Sequence, residues 1–336
     1  MEKKNAKRRN TGDNMGRILK RLIATACLLA FGTVSSFAAD PKEITLDWAT
    51  YNPVSLILKK QGLLEKEFAK DGISIRWVQS AGSNKALEFL NAGSIDFGST
   101  AGAAALIGKI NGNPIKSVYV YSKPEWTALV TRAETGITKP ADLKGKSIAV
   151  TRGTDPHIFL VRALADAGLT EKDVKLVLLQ HADGKLALLR GDVDAWAGLD
   201  PLMASAEVEN GAVLFYRKPQ DNTWGVLNTR EEFAKEHPAL VKRVLAVYDQ
   251  ARREAIAHPD ALKVALEEAA KLPGPVIAKQ LERTDLSSSQ IGPAQRDTIF
   301  QAGVALQKAG VIGAEVDVAK AVDGLIDPQF SSGLGQ

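Results

Sequence analysis

Cysteine is nearly absent from this sequence of 336 residues, which holds a single one, Cys27, in an apolar run near its start. A single cysteine cannot form an internal disulfide or a thiolate metal cluster. The four histidines show neither the H-x-x-x-H nor the H-E-x-x-H spacing of common zinc sites. A dinucleotide fingerprint, a phosphate-binding loop and a G-x-S-x-G elbow are missing as well. The sequence therefore predicts no metal, no cofactor and no catalytic residue.

Beyond the N-terminus, long hydrophobic runs and clusters of positive charge are also missing. The net charge of +4 belongs to the N-terminus, because residues 1–38 carry a net charge of +6 and leave −2 for the remaining chain. A nucleic-acid partner would require a clustered basic face in the folded part, so none is expected. The apolar run from Leu22 to Phe31 is shorter than a membrane-spanning helix requires.

The N-terminus instead has the layout of a secretory signal peptide. Eight lysines and arginines precede the apolar run, and the small residues Ser36 and Ala38 stand three places and one place before a cut after Ala38. We predict export to the periplasm with cleavage near Ala38, so residues 1–38 are assigned to the signal peptide. Met1 and Met15 are both possible starts. Cleavage would remove Cys27 and leave a mature chain without cysteine.

Short β-like segments alternate with helical patterns over the first two thirds of the chain, as in I-T-L-D-W-A from Ile44 and S-I-A-V from Ser147. Such alternation predicts an α/β fold with mainly parallel sheets flanked by helices. From Arg230 onward the apolar residues recur at helical spacing, so the C-terminal region is predicted to be helical.

Two pairs of similar segments indicate two lobes of similar plan. The segment Asn91–Gly98, N-A-G-S-I-D-F-G, resembles Leu189–Trp196, L-R-G-D-V-D-A-W. Asn52-Pro53 and Asp155-Pro156 each follow a strand and open a helix, with proline at its first position.

These patterns assign residues 39–131 to the first part of lobe 1 and residues 132–223 to lobe 2. Residues 224–336 then form a crossover and a mostly helical return to lobe 1. Two connections, near Thr131 and Trp224, would form a hinge with a cleft between the lobes. Ligands of open α/β sheets bind at the carboxyl ends of the strands, so the site is expected there.

Small and hydroxylated residues stand at those strand ends, and most of them begin helices. Free backbone N–H groups and the helix dipole make such positions anion sites, although the same residue types also serve as ordinary helix caps. Asp155 is expected either to cap its own helix or to face the ligand. The candidate ligand-binding residues are Tyr51, Asn52, Gly82, Ser83, Ser99, Thr100, Gly153, Thr154, Asp155 and Trp196.

Trp196 lies in the stretch D-A-W-A-G-L-D-P, Asp194 to Pro201. The stretch is predicted to be a buried strand followed by a helix that Asp200 caps. Two interpretations of Trp196 stay open. It is either a rigid apolar wall of the cleft or a core residue packed under the sheet.

Several motifs together resemble the periplasmic substrate-binding proteins of ABC importers for aliphatic sulfonates, taurine and nitrate. They are Gly62-Leu63-Leu64-Glu65, Leu90–Gly98, Ala141–Val150, Gly153-Thr154 and Asp194–Pro201. The resemblance spans nearly the whole mature chain. It implies a two-lobed clamshell of the type II-like periplasmic binding-protein class, which closes on an oxyanion and docks on a membrane permease.

The resemblance also implies a function and a set of contacts. Ser83, Thr100, Thr154 and Trp196 would face an aliphatic sulfonate, and the protein would be a monomer that partners the permease subunits of the transporter. Taurine, nitrate and a thiamine-pyrimidine precursor are alternative ligands. The same fold hosts enzymes, among them a cysteine-dependent desulfinase, and a receptor-docking sensor is a further alternative.

Overall fold

The computed structural model describes residues 40–335, so the predicted signal peptide lies outside the described residues. Two mixed β-sheets organise the chain. We call the part built on the six-stranded sheet lobe 1 and the part built on the five-stranded sheet lobe 2. The strands of lobe 1 are β1 (Glu43–Trp48), β2 (Ser74–Gln79), β3 (Phe97–Ala101), β4 (Ile115–Pro124), β10 (Gly225–Arg230) and β11 (Thr284–Asp285). The strands of lobe 2 are β5 (Leu129–Thr131), β6 (Ser147–Val150), β7 (Lys175–Leu178), β8 (Ala195–Ala197) and β9 (Val213–Tyr216).

Helices flank both sheets and dominate the C-terminal third. They are α1 (Pro53–Gln61), α2 (Leu63–Phe68), α3 (Ser83–Asn91), α4 (Gly102–Ile110), α5 (Asp155–Asp166), α6 (His181–Arg190), α7 (Leu202–Asn210), α8 (Glu231–Glu236), α9 (Pro238–Ala257), α10 (Pro259–Ala270), α11 (Gly274–Glu282), α12 (Pro293–Lys308) and α13 (Val318–Leu325). Within residues 40–335, none of these helices is long and apolar enough to cross a membrane.

Each sheet combines parallel and antiparallel pairs. In lobe 1, β1 pairs in parallel with β2 and β3, whereas β10 runs antiparallel to β3 and β4. In lobe 2, β6 pairs in parallel with β7 and β8, and β5 runs antiparallel to β8 and β9. The α/β class is therefore confirmed, and the strands that run against the rest of their sheet are β10 and β11 in lobe 1 and β5 in lobe 2.

The chain passes between the lobes twice in this part of the structure. Residues 125–128 connect β4 to β5, and residues 217–224 connect β9 to β10. The first passage comes before Thr131, because Thr131 already belongs to β5 and pairs with Ala195 of lobe 2. The strand β5 has only three residues, too few to give an alternating pattern in the sequence.

The similarity between the two repeated segments has a structural basis. Asp96 accepts a hydrogen bond from the backbone N–H of Thr45 at 2.9 Å, and Asp194 accepts one from the backbone N–H of Ser147 at 2.8 Å. In each lobe, an aspartate that follows a helix thus fixes the strand beside it. The two lobes repeat one local plan.

The C-terminal helices pack on both lobes, not on lobe 1 alone. Helices α9 and α10 pack against α1 of lobe 1, whereas α11 packs against α7 of lobe 2. Just after α11, the buried Arg283 forms an ion pair with Glu207 and lies 3.5 Å from Asp200 on lobe 2. Burial raises the pKa of Asp200 to about 7, although Arg283 opposes that shift. Helix α12 also packs against α5 of lobe 2, so the predicted return to lobe 1 includes segments that contact lobe 2.

Candidate functional site

A small cavity lies between the lobes, with a volume of about 10 Å³. That is roughly the space one water molecule requires. Its lining residues come from lobe 1, from the first passage between the lobes and from lobe 2. They are Tyr51, Ser83, Trp126, Thr154, Asp155, Pro156 and Leu199. Four of the ten candidate residues named from the sequence thus meet at one place, namely Tyr51, Ser83, Thr154 and Asp155.

Two helices begin at this cavity, one from each lobe. Ser83 is the first residue of α3, and Thr154 is the N-cap residue of α5. Within the described chain, neither N-terminus is capped by a side-chain hydrogen bond. The first backbone N–H groups of a helix have no partner within the helix, and the dipole places partial positive charge there. Together the two helix starts form a place suited to an anion.

The hydroxyl groups of Ser83 and Thr154 differ in their hydrogen bonds. The Oγ of Ser83 accepts from the backbone N–H of Ala101 at 3.0 Å, which leaves the hydroxyl proton free to donate. The Oγ1 of Thr154 donates to the carbonyl of Thr151 at 2.6 Å. Ser83 can therefore offer a side-chain donor to the cavity, whereas Thr154 has already committed its hydroxyl proton.

Asp155 connects lobe 2 to both passages between the lobes. Its buried carboxylate accepts from the indole N–H of Trp126 at 2.8 Å, and from the backbone N–H and hydroxyl of Thr223 at 3.0 and 2.7 Å. Burial raises the pKa of Asp155, which the hydrogen bonds from Trp126 and Thr223 oppose. The carboxylate thus binds the passages instead of capping the N-terminus of its own helix, and Asp155 also lines the cavity.

Asn52, Ser99 and Thr100 lie behind the cavity in the core of lobe 1 and do not line it. All three are fully buried. The amide of Asn52 donates to the hydroxyls of Ser99 and Tyr248, at 2.7 and 3.1 Å. The hydroxyl of Thr100 accepts from Asn228 at 2.8 Å. Their polar groups hold β3 in place, which is the ordinary role that such residues have when no ligand contacts them.

Asp47, which sequence analysis did not select, organises the same network. Its carboxylate accepts from the backbone N–H and hydroxyl of Ser99, at 2.9 and 2.8 Å, and from the hydroxyl of Ser80. Burial raises its pKa to about 6, partly offset by these hydrogen bonds. In the sequence, the one indication of this buried polar network is that Asp47 lies within the otherwise mostly apolar strand I-T-L-D-W-A.

The raised pKa of Asp47 predicts a pH dependence of stability. The folded chain keeps the Asp47 proton up to about pH 6, whereas the unfolded chain releases it near its ordinary value of 3.8. Folding is therefore favoured at low pH, and that contribution is lost as the pH rises through this window. Relative to Asp47→Asn, the wild-type free energy of unfolding should fall by on the order of 3 kcal/mol between about pH 4 and pH 7. Urea unfolding at several pH values measures this difference, and a flat difference would contradict the assignment.

Trp196 belongs to the core of lobe 2 and does not line the cavity. It is fully buried in β8, on the sheet face that carries Leu188 and Met203, while Ala195 and Ala197 face the other side. A β-carbon placed on Gly184 of α6 would lie 2.8 Å from the indole nitrogen, so the helix packs directly against the ring. The structure thus favours the core interpretation of Trp196 over the cleft wall.

The tryptophan that does line the cavity is Trp126, in the first passage between the lobes. Its ring meets Tyr51 edge-on, with ring centroids 6.0 Å apart, and lies 6.3 Å from the ring of Tyr121. Trp126 could not be selected from the sequence, because it follows Pro124 in a segment that belongs to neither sheet and has no periodic pattern.

The two candidate glycines lie where the lobes approach each other. A β-carbon on Gly82 would lie 2.8 Å from Asn84 Oδ1 and 3.1 Å from Nε2 of His181 on lobe 2. Gly153 has a positive φ of 78°, and its β-carbon position is 4.0 Å from the Cβ of Asn84. Asn84 and His181 are further residues that sequence analysis did not select.

The described residues contain no cluster of histidine, cysteine, aspartate and glutamate side chains that could hold a metal ion. The groups that line the cavity are hydroxyl, carboxylate and backbone N–H groups, beside two aromatic rings and a leucine.

Comparison with known proteins relates this fold and cavity to one family. The family model "NMT1/THI5 like" matches residues 67–262. A candidate aliphatic sulfonates-binding protein of Escherichia coli (strain K12) is 31% identical over 271 residues, covering 80% of this chain and 84% of that protein. The taurine-binding periplasmic protein of the same strain is 28% identical, covering 69% of this chain and 72% of its own.

A solved structure is similar over most of the fold. It is the alkanesulfonate-binding protein SsuA from Xanthomonas axonopodis pv. citri, bound to MOPS. The TM-score is 0.77 at 26% identity, and the match covers 84% of this chain and 99% of that chain. The two-lobed periplasmic binding-protein fold is thereby confirmed.

Proposed function

The chain belongs to the NMT1/THI5-like family, and from that premise we propose that it is the periplasmic solute-binding component of an ABC importer, which captures an aliphatic sulfonate between its two lobes. The sulfonate-binding relative and the SsuA structure support the transport role. Delivery to membrane permease subunits, action as a monomer and cleavage of a signal peptide near Ala38 are parts of the same proposal.

The observation that carries the choice of ligand is the meeting of two helix N-termini at one cavity. A sulfonate has three acceptor oxygens that share one negative charge, and it needs several donors arranged around it. The N-termini of α3 and α5 supply backbone N–H groups, and Ser83 supplies a hydroxyl. No lysine or arginine lines this cavity in the described chain. We infer that neutral donors and helix dipoles hold the anion.

The remaining lining suits the carbon chain of such a ligand. Trp126, Pro156 and Leu199 present apolar surface beside the helix starts. A rigid indole next to an alkyl chain removes apolar area from water at a low cost in conformational entropy. The role of apolar wall, which the sequence offered to Trp196, is therefore assigned to Trp126 in this proposal.

Ligand entry requires the lobes to move apart, because a cavity of about 10 Å³ is far smaller than a sulfonate. The two passages, residues 125–128 and 217–224, are the places where such a movement can bend the chain. Closure around the ligand would then bring the N-termini of α3 and α5 to opposite sides of the anion. Hinge closure of this kind is common among two-lobed binding proteins.

Taurine is the second candidate, favoured by the taurine-binding relative. Its ammonium group would require an acceptor in the cavity. Asp155 is poorly suited to that role, because its carboxylate already accepts three hydrogen bonds from Trp126 and Thr223. We therefore place alkyl sulfonates before taurine, and both before nitrate or a pyrimidine. We propose no turnover, since the residues that line the cavity include no histidine or cysteine.

A thermal-shift screen of the mature chain against sulfonates, taurine, nitrate, sulfate and pyrimidines tests the proposed function. A ligand that binds only the folded state stabilises it by about 2.7 kcal/mol at a hundredfold excess over its dissociation constant. We expect alkyl sulfonates to raise Tm most. A screen in which nitrate or a pyrimidine raises Tm and no sulfonate does would overturn the proposal.

Replacement of Ser83 by alanine should weaken every sulfonate by a similar factor. The change removes one hydroxyl donor to the charged head group, and such hydrogen bonds contribute about 1.5 to 3 kcal/mol each. Titration calorimetry with methanesulfonate and hexanesulfonate measures the effect at two chain lengths. A loss confined to the longer ligand would show that Ser83 contacts the chain and not the head group.

A further inference from the structure

His181 is buried between the lobes without a polar partner. It is the first residue of α6 and is only 2% exposed. Within residues 40–335, neither of its ring nitrogens meets a hydrogen-bond partner. Burial lowers its pKa to about 3, so the ring is neutral at ordinary pH and carries one donor and one acceptor nitrogen. Buried polar atoms are rarely left unpaired in native proteins, because they lose their hydrogen bonds to water.

A second unpaired polar atom faces the same point from lobe 1. Asn84 Oδ1 is buried and, in the described part of the chain, has no hydrogen-bond partner. Both atoms lie close to the position that a β-carbon would occupy on Gly82. The distance to that position is 2.8 Å from Asn84 Oδ1 and 3.1 Å from His181 Nε2. The two polar atoms are therefore no more than about 6 Å apart, close enough for one oxygen atom to hydrogen-bond to both.

This pair of side chains borders the proposed sulfonate site. Asn84 directly follows Ser83, whose side chain lines the cavity. The Cβ of Asn84 lies 4.0 Å from the β-carbon position of Gly153, which precedes α5. Asn84 belongs to lobe 1 and His181 to lobe 2, so the two approach each other only when the lobes are closed. A ligand group held between them would favour the closed state.

The chemistry of the pair selects a neutral group that both donates and accepts. In the tautomer whose Nε2 carries the proton, a hydroxyl can accept from His181 and donate to the amide oxygen of Asn84. An ammonium has three donors and no acceptor, and the positive N-terminal ends of α3 and α6 disfavour a cation there. An alkyl group would leave both polar atoms unpaired.

We propose that Asn84 and His181 form a specificity subsite for a hydroxyl group carried near the sulfonate of the ligand. This inference rests on the proposed sulfonate-binding function and narrows its substrate class to hydroxylated short-chain sulfonates. The subsite is neutral, is shared by both lobes and is complete only in the closed form.

The test compares three ligands that differ in one group, ethanesulfonate, 2-hydroxyethanesulfonate and 2-aminoethanesulfonate. Titration calorimetry of the mature chain should give a dissociation constant for 2-hydroxyethanesulfonate at least tenfold below that for ethanesulfonate. In Asn84→Ala and in His181→Leu, the dissociation constants for the two ligands should differ by less than about threefold. In Ser83→Ala both ligands should weaken, and the ratio should persist.

The outcomes separate the inference from the function on which it rests. If ethanesulfonate binds but the hydroxyl gives no advantage, the subsite is wrong and the proposed function stands. If 2-aminoethanesulfonate binds tightest of the three, the subsite holds a cation and the hydroxyl assignment is overturned. If none of the three binds, both fail. Asn84 is half-buried on the surface turn of α3, so its variant keeps the test decisive if His181→Leu does not fold.

Discussion

Replacement of Asp155 by alanine should lower the free energy of unfolding by on the order of 3 kcal/mol, because two buried N–H donors lose their acceptor at once. These donors are the indole N–H of Trp126 and the backbone N–H of Thr223, one in each passage between the lobes. An unpaired buried donor costs about 1 to 3 kcal/mol, and part of the loss is recovered because a buried charge is removed. Urea unfolding followed by circular dichroism measures the change.

Asp166 provides the matched control for this prediction. It lies at the other end of the same helix, and its side chain is 52% exposed in an ion pair with Lys218. Exposed ion pairs contribute at most about 1 kcal/mol, so Asp166→Ala should change stability little. Asp155→Asn keeps one acceptor oxygen and should fall between the two. Equal effects of Asp155→Ala and Asp166→Ala would contradict the role given to Asp155.

Replacement of Gly82 by valine should weaken sulfonate binding at least a hundredfold, which is about 2.7 kcal/mol. The new β-carbon would lie 3.1 Å from Nε2 of His181 on lobe 2, and the valine methyl groups extend further. The valine side chain would therefore prevent the lobes from closing fully. The φ of Gly82 is 165°, an extended conformation that valine adopts readily. Within lobe 1 the new β-carbon would lie 2.8 Å from Asn84 Oδ1, the end of a side chain that can rotate away, so each lobe should still fold. Titration calorimetry with ethanesulfonate gives the affinity.

Gly292 is the control for this substitution. It also precedes a helix in an extended conformation, with φ of −166°, and a β-carbon there meets no atom within 4 Å. Gly292→Val should bind ethanesulfonate as the wild type does. An unchanged affinity in Gly82→Val would mean that closure does not bring Gly82 and His181 together.

The helix starts at the cavity could be predicted from the sequence because their local patterns are strong. Ser83 and Thr154 each stand between a strand and an amphipathic helix, and the carboxyl ends of parallel strands share one edge of a sheet. Strand and helix periods are local properties, so they identify which residues begin helices. They also predicted the α/β class and the two similar lobes.

The facing of individual side chains could not be predicted in the same way. Both faces of the sheet are buried at β8. The alternation of side chains shows that Trp196 lies on the opposite face from Ala195 and Ala197, but it does not show which face lies toward the cavity. Asn52 and Ser99 have the residue types of a polar site, but within lobe 1 Asn52 donates to Ser99 and Ser99 donates to Asp47. Contacts across the lobes, such as Gly82 with His181, join residues far apart in the chain and leave no periodic pattern.

A crystal structure of the mature chain with an aliphatic sulfonate would show directly whether two helix starts hold the anion. We expect the sulfonate to lie between the lobes, with its oxygen atoms within about 3.2 Å of backbone nitrogens at the starts of both α3 and α5. Trp126 should contact the carbon chain, and Trp196 should stay in the core of lobe 2. A sulfonate bound outside this cavity, or held by lysine or arginine side chains without contact to either helix start, would show that the two helix starts do not form the binding site.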